Sequence, residues 1–119
     1  MSSPESHPLA SPTVLETISR EIGDSHARGH GRPPTSAKTV WHEDVVVCVL
    51  EGVFTAAERE AVESGRFEWM RAERLARHEP LAPSLRALIQ TATRRPVRAY
   101  MNEIGPEDVA FEVFVLAKG

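Results

Sequence analysis

Residues 44–58 read DVVVCVLEGVFTAAE, and this stretch decides the fold. Val45, Val46, Val47, Cys48, Val49 and Leu50 are apolar on both faces of any strand they form, which is the pattern of a strand in the middle of a sheet. Gly52 lets the chain turn. Thr55 is placed to cap a helix, and Glu58, three residues on, is its reciprocal partner in a capping box. The stretch holds no evident catalytic group. Cys48 sits mid-strand, where burial raises a thiol's pKa and leaves it a small apolar side chain.

Toward the N-terminus, Pro12 suits a first helical turn, and Thr13 with Glu16 forms a second capping-box pattern. Val14, Leu15, Ile18 and Ile22 recur at helical spacing and make one apolar stripe. The run Gly29-His30-Gly31-Arg32-Pro33-Pro34 cannot continue a helix, so fraying is expected from Gly29. Residues 37–42, with Val40 and Trp41, predict a first strand. Glu43-Asp44 is then the tight turn of an antiparallel hairpin into the second. Residues 1–11, MSSPESHPLAS, are rich in Ser and Pro and are expected to be a disordered lead, with 12–119 a single domain.

Toward the C-terminus, a helix is expected over 55–63, ended by Gly65. Another starts near Arg66 and carries Phe67, Met70, Leu75 and His78. Pro80 and Pro83 interrupt it, because each removes a backbone donor, and it resumes through Leu85, Leu88 and Ile89. Strands follow from Pro96 to Ile104 and from Val109 to Leu116, joined by Gly105-Pro106-Glu107-Asp108. Val109, Phe111, Val113 and Val115 share one face of the last strand, and Glu112, Phe114 and Leu116 the other. The order α-β-β-α-α-β-β predicts an α+β two-layer sandwich, a four-stranded, largely antiparallel sheet with helices on one face. A second strand apolar on both faces then calls for cover on the open side, and a homodimer is expected to supply it.

The chain has 119 residues, 41% hydrophobic and 26% charged, with a net charge of −3. That balance argues against a bulk electrostatic grip on nucleic acid or anionic lipid. No apolar run approaches the roughly 20 residues a membrane span needs, so direct membrane insertion is not expected. The N-terminal residues lack the pattern of a secretory signal. The single cysteine leaves no internal disulfide and no thiolate metal cluster. A cytoplasmic setting is expected.

His26 and His30 are spaced i, i+4, which can hold zinc on a continuous helix. Gly29 falls between them and no third donor lies nearby, so both are expected in solvent and no metal site is expected. His42 and His78 have no partner in the sequence. Arg66, Arg71, Arg74, Arg77 and Arg86 are interleaved with Glu63, Glu68, Glu73 and Glu79 and read as a solvated, neutralised helix face. Arg94, Arg95 and Arg98 are the least neutralised cations. With Gly29, Gly31 and Arg32 they form the candidate set for binding an anion or a partner. An enzyme would need His78, Arg71 or Arg74 in a pocket with a paired group, and the sequence shows no such pairing. No catalytic residue and no cofactor are expected.

Three segments carry a family resemblance. The first is the glycine-rich, proline-ended loop Gly29-His30-Gly31-Arg32-Pro33. The second is LEGVFTAAE, Leu50 to Glu58, which looks like a leucine-x-glycine-x-leucine-threonine-x-x-glutamate signature with Leu50, Gly52, Thr55 and Glu58 in place. The third is the C-terminal pair of strands, Arg94 to Leu116. Over about Val14 to Leu116 the chain resembles the MpsC-like family, small soluble proteins associated with sodium-dependent membrane-potential generation and inorganic-carbon uptake. Thr93-Arg94 stands where the family usually has threonine-glycine, Pro80 and Pro83 interrupt a helix it tends to keep whole, and Pro34 adds a second proline to the loop. The resemblance implies a non-enzymatic accessory or regulatory role beside a membrane transport system, with a transporter subunit as partner. The alternative is a module sensing a small anion or nucleotide through the candidate set above.

Overall fold

The computed structural model describes residues 11–118. The expected N-terminal lead, save Ser11, lies outside the described residues. Helix α1 (Pro12–His30) has Pro12 at its start and Ser11 as its cap, the Ser11 hydroxyl accepting from Val14 N at 3.4 Å. Strands β1 (Ser36–His42) and β2 (Val45–Glu51) form the expected hairpin, with Val40 opposite Val47 and Thr39 opposite Cys48. Helix α2 (Ala56–Glu63) opens on the complete capping box: Glu58 N donates to Thr55 Oγ1 at 3.2 Å, and Thr55 N to Glu58 Oε1 at 3.0 Å. Helix α3 (Phe67–His78) and helix α4 (Ala82–Thr93) are separated by one 3₁₀ turn (Glu79–Leu81) holding Pro80. This is the interruption expected of one long helix, and with the two halves counted together the order is α-β-β-α-α-β-β. Strands β3 (Val97–Gly105) and β4 (Val109–Leu116) close the fold.

The sheet order is β1-β2-β4-β3 and every pairing is antiparallel. β2 is therefore central, as its two-sided apolar sequence requires. Val46, Cys48 and Leu50 of β2 and Ala110, Phe114 and Leu116 of β4 meet Ile18, Ile22, Met70, Leu85 and Ile89 from the helices, and these eleven residues are buried. Among the described residues no helix covers the other face. Val40 is 50% exposed there and Met101 61%, with Val47, Val49, Phe111, Val113 and Val115 half-buried beside them.

One boundary differs from expectation in a way that builds the site. α1 does not fray at Gly29; it runs one residue further, to His30, and Gly31 caps it in the left-handed conformation at φ 82. Gly29 lets Leu81 lie close, since a Cβ there would stand 2.5 Å from Leu81 Cδ1 and that side chain would have to shift. The unbroken helix puts His26 and His30 one turn apart on its inner face.

Candidate functional site

α1, α3 and β4 each send polar groups into the space between helices and sheet. His26 and His30 come from α1, Arg74 and His78 from α3, and Glu112 from β4. His26, Arg74 and His78 are each 2% exposed and Glu112 is 1% exposed. Tyr100 of β3 completes the group. The expectation that His26 and His30 face solvent is overturned because the helix continues through Gly29. The expectation that His78 lacks a partner fails because its partners lie 48 and 34 residues away, at His30 and Glu112. The solvated arginine face fails at Arg74, which turns inward to a carboxylate on another helix, Glu58, at 2.8 Å.

The hydrogen bonds fix where the protons sit. Glu112 accepts from His26 Nε2 at 2.6 Å and from the Tyr100 hydroxyl, and His78 Nε2, 2.9 Å from both Glu112 Oε2 and the Tyr100 oxygen, donates between these two acceptors. An ionised carboxylate can only accept, so both imidazoles carry their proton on Nε2. His26 Nδ1 is then free to accept from Arg74 Nη2 at 3.4 Å. His78 Nδ1 accepts from His30 Nε2 at 2.8 Å. The chain ends at His30 Nδ1, the one buried side-chain nitrogen or oxygen among the described residues with no partner.

Charges balance in the same account. Arg74 pairs with Glu58 at 2.8 Å and Arg77 with Glu58 at 2.7 Å. Two carboxylates, Glu58 and Glu112, thus face two guanidiniums, and burial favours the neutral forms of His26 and His30. Burial pulls the pKa of His26 down against the opposing pull of Glu112. Burial, and then the Arg74 charge, lowers that of His30 to about 2. Burial alone would raise Glu112, but the His26 and His78 hydrogen bonds outweigh it and hold its carboxyl at about 2. Burial and the Glu112 charge push the Tyr100 phenol up, so it stays a donor. Burial likewise raises Cys48 to about 11, and the thiol is packing, not a nucleophile.

Two cavities reach the edges of the cluster. One of about 320 Å³ is bounded by His30, Glu58, Met70, Trp69 and Arg77. One of about 440 Å³ is bounded by Tyr100, Leu75, Ala76 and Glu79. A third, of about 560 Å³, lies between α1 and β1 beside Ser19, Gly23 and Ala37 and touches no member of the cluster.

The residues singled out from sequence fall elsewhere. Arg32 Nε donates to Gly52 O at 3.2 Å, past the end of β2. Arg95 bonds Asp44 Oδ1 at 2.5 Å and the carbonyls of Glu43 and Ala117, before its start. Those anchors are eight residues apart along an extended strand, roughly 25 Å, so one small anion cannot be held by both. Arg94 and Arg98 are exposed, as is Gly31; Gly29 packs inside α1. Sequence reading missed Glu112 and Tyr100. The available signal was an acid in the inward alternation of β4, Ala110, Glu112, Phe114, Leu116, where a lone carboxylate needs buried partners.

Among the described residues no helix is long and apolar enough to cross a membrane. Neither a curated protein nor a solved structure matches the chain. A family match does extend over residues 12–118, nearly the whole length, and carries the description "Na+-translocating membrane potential-generating system (MpsC)"; the chain, with its Leu50, Gly52, Thr55 and Glu58 in a formed strand-turn-helix, belongs to the MpsC family.

Proposed function

We propose that the chain is a non-enzymatic, cytoplasmic accessory module of a sodium-translocating, membrane-potential-generating system, and that it acts through protein contacts. The family description supplies the system. The observation that carries the mode of action is the open sheet face. Val40 and Met101 are exposed there, and five more apolar side chains of β2 and β4 lie half-buried around them. A continuous apolar face of this kind is characteristic of contact surfaces. Its first occupant is a second copy, packed sheet on sheet about a twofold axis. Lys38 and Glu51 sit on the same face, by their register opposite Val49 and Ser36, and offer each copy opposite charges to pair.

Two measurements test this. Light scattering gives a dimer mass across micromolar concentrations, and Met101→Lys or Val40→Lys returns a monomer with unchanged circular dichroism. A monomer mass for the unaltered protein at every concentration overturns the dimer. Affinity purification from native membranes recovers the integral subunits of the potential-generating system; their absence under mild detergent overturns the accessory role.

A further inference from the structure

We propose that His26, His78 and Glu112 form a binding site for one divalent transition-metal ion, with zinc the best match, that ties α1 and α3 to the centre of the sheet. The three residues each offer one ligand atom, and these atoms all lie within 4.8 Å of one another. Two imidazole nitrogens and a carboxylate oxygen make a common zinc donor set. Donors around a tetrahedral zinc stand roughly 3.3 Å apart, given bonds of about 2.0–2.1 Å. The present spacings of 2.6 Å from His26 to Glu112 and 2.9 Å from His78 to Glu112 therefore open by less than about 1 Å on loading.

The surroundings supply an outer partner for His78 and for Glu112, while His26 faces the Arg74 guanidinium. His78 Nδ1 faces His30 Nε2 at 2.8 Å, so a metal-bound His78 has an outer partner to fix its ring. The Tyr100 hydroxyl donates to Glu112 Oε1 and leaves Oε2 for the ion. That hydroxyl is also 2.9 Å from His78 Nε2, so the fourth position falls to it or to a water from the cavity that Tyr100 borders. No net proton is lost on binding. His26 and His78 exchange an Nε2 proton for one on Nδ1, and His30 moves its proton to its own unpartnered Nδ1. The opposing contact is Arg74 Nη2, 3.4 Å from His26 Nδ1. It gives up one long hydrogen bond there and keeps Glu58 at 2.8 Å.

The site escapes sequence motifs because its donors are at positions 26, 78 and 112 and only the fold joins them. The proposal is independent of the accessory role, since a metal-free accessory module and a metal-bound protein of another role are both conceivable results. Its test uses the full chain, stripped with a chelator, given one equivalent of zinc chloride and desalted. The expected result is one zinc per chain in the unaltered protein, and at least a tenfold loss of affinity in Glu112→Gln and His78→Gln. His42, which is exposed beside Glu43, serves as the control, and His42→Gln leaves uptake unchanged. Where a core variant fails to fold, imidazole ¹⁵N spectra of the unaltered protein decide. Zinc moves His26 and His78 from the Nε2–H to the Nδ1–H tautomer. No zinc retained above the desalting blank, retention undiminished in both core variants but lost in His42→Gln, or unchanged tautomers in the zinc-treated protein each overturn the proposal.

Discussion

Arg94 ends α4 in the left-handed conformation, at φ 63, with its N–H bonded to Gln90 O. An L-residue pays steric strain for that geometry which glycine avoids. Arg94→Gly is expected to raise stability by about 0.5–1 kcal/mol in urea denaturation, part of the gain being offset by a looser unfolded chain. Gly52 shows the reverse case. Its φ is 67, and a Cβ would stand 2.1 Å from Thr35 Oγ1, inside any permitted contact. Gly52→Ala is expected to cost more than about 2 kcal/mol by the same measurement. The signature glycine is thus retained for both a turn and a close approach, and its neighbour Leu50 is core, fully buried.

The junctions between elements depend on a few polar groups whose neighbours are buried. Asp108, in the β3–β4 turn, accepts from Val53 N at 2.7 Å and Phe54 N at 2.8 Å. Both donors belong to residues 1% exposed, between β2 and α2. Asp108→Ala leaves two buried N–H groups unpaired and is expected to lower stability by about 2–4 kcal/mol, with Asp108→Asn recovering part of it through its remaining carbonyl. The capping box of α2 contributes less: Thr55→Ala is expected to cost about 1 kcal/mol. Glu58 does more than cap. It also receives Arg74 and Arg77, so the same signature acid joins α2 to α3 and neutralises the guanidinium that borders the histidines. Chemical denaturation of each variant, read at its midpoint, separates these contributions.

At the scale of the whole molecule, the cluster makes folding depend on pH. In chelator-treated protein, His26 and His30 are held neutral by burial, their folded pKa values lying below the ordinary 6.5. The unfolded chain takes up protons at both sites as pH falls below 6.5 while the native state does not, so stability is full above 6.5 and declines below it. Each histidine adds a slope of at most about 1.4 kcal/mol per pH unit. Glu112, lowered to about 2 from 4.5, adds a further loss as pH falls through 4.5. Urea midpoints are expected to be flat from pH 7 to 8 and to drop steeply from 6 to 4. His30→Asn, which removes one titrating group, is expected to flatten the upper part of that slope. A midpoint independent of pH between 7 and 5 would mean the histidines are not buried neutral.

The sequence by itself determined the strand-turn-helix at 44–58, the two hairpins, the proline break between α3 and α4, and through them the sandwich and the family. These follow from local periodicity, capping and turn chemistry, which act over a few residues and can be read along a line. It did not determine the cluster. A histidine pair one turn apart is visible in sequence, but Gly29 made the helix look ended, and only the tertiary structure shows it inside α1 with Leu81 packed close against it. The acid that completes the group lies 86 residues from His26. The alternation of β4 sets Glu112 in line with Ala110, Phe114 and Leu116, but it does not say which donors meet the carboxylate there. Its fate is decided by which face of β4 the helices cover and by which donors α1 and α3 bring there, because burying a charge is tolerated only where several separate elements satisfy it together.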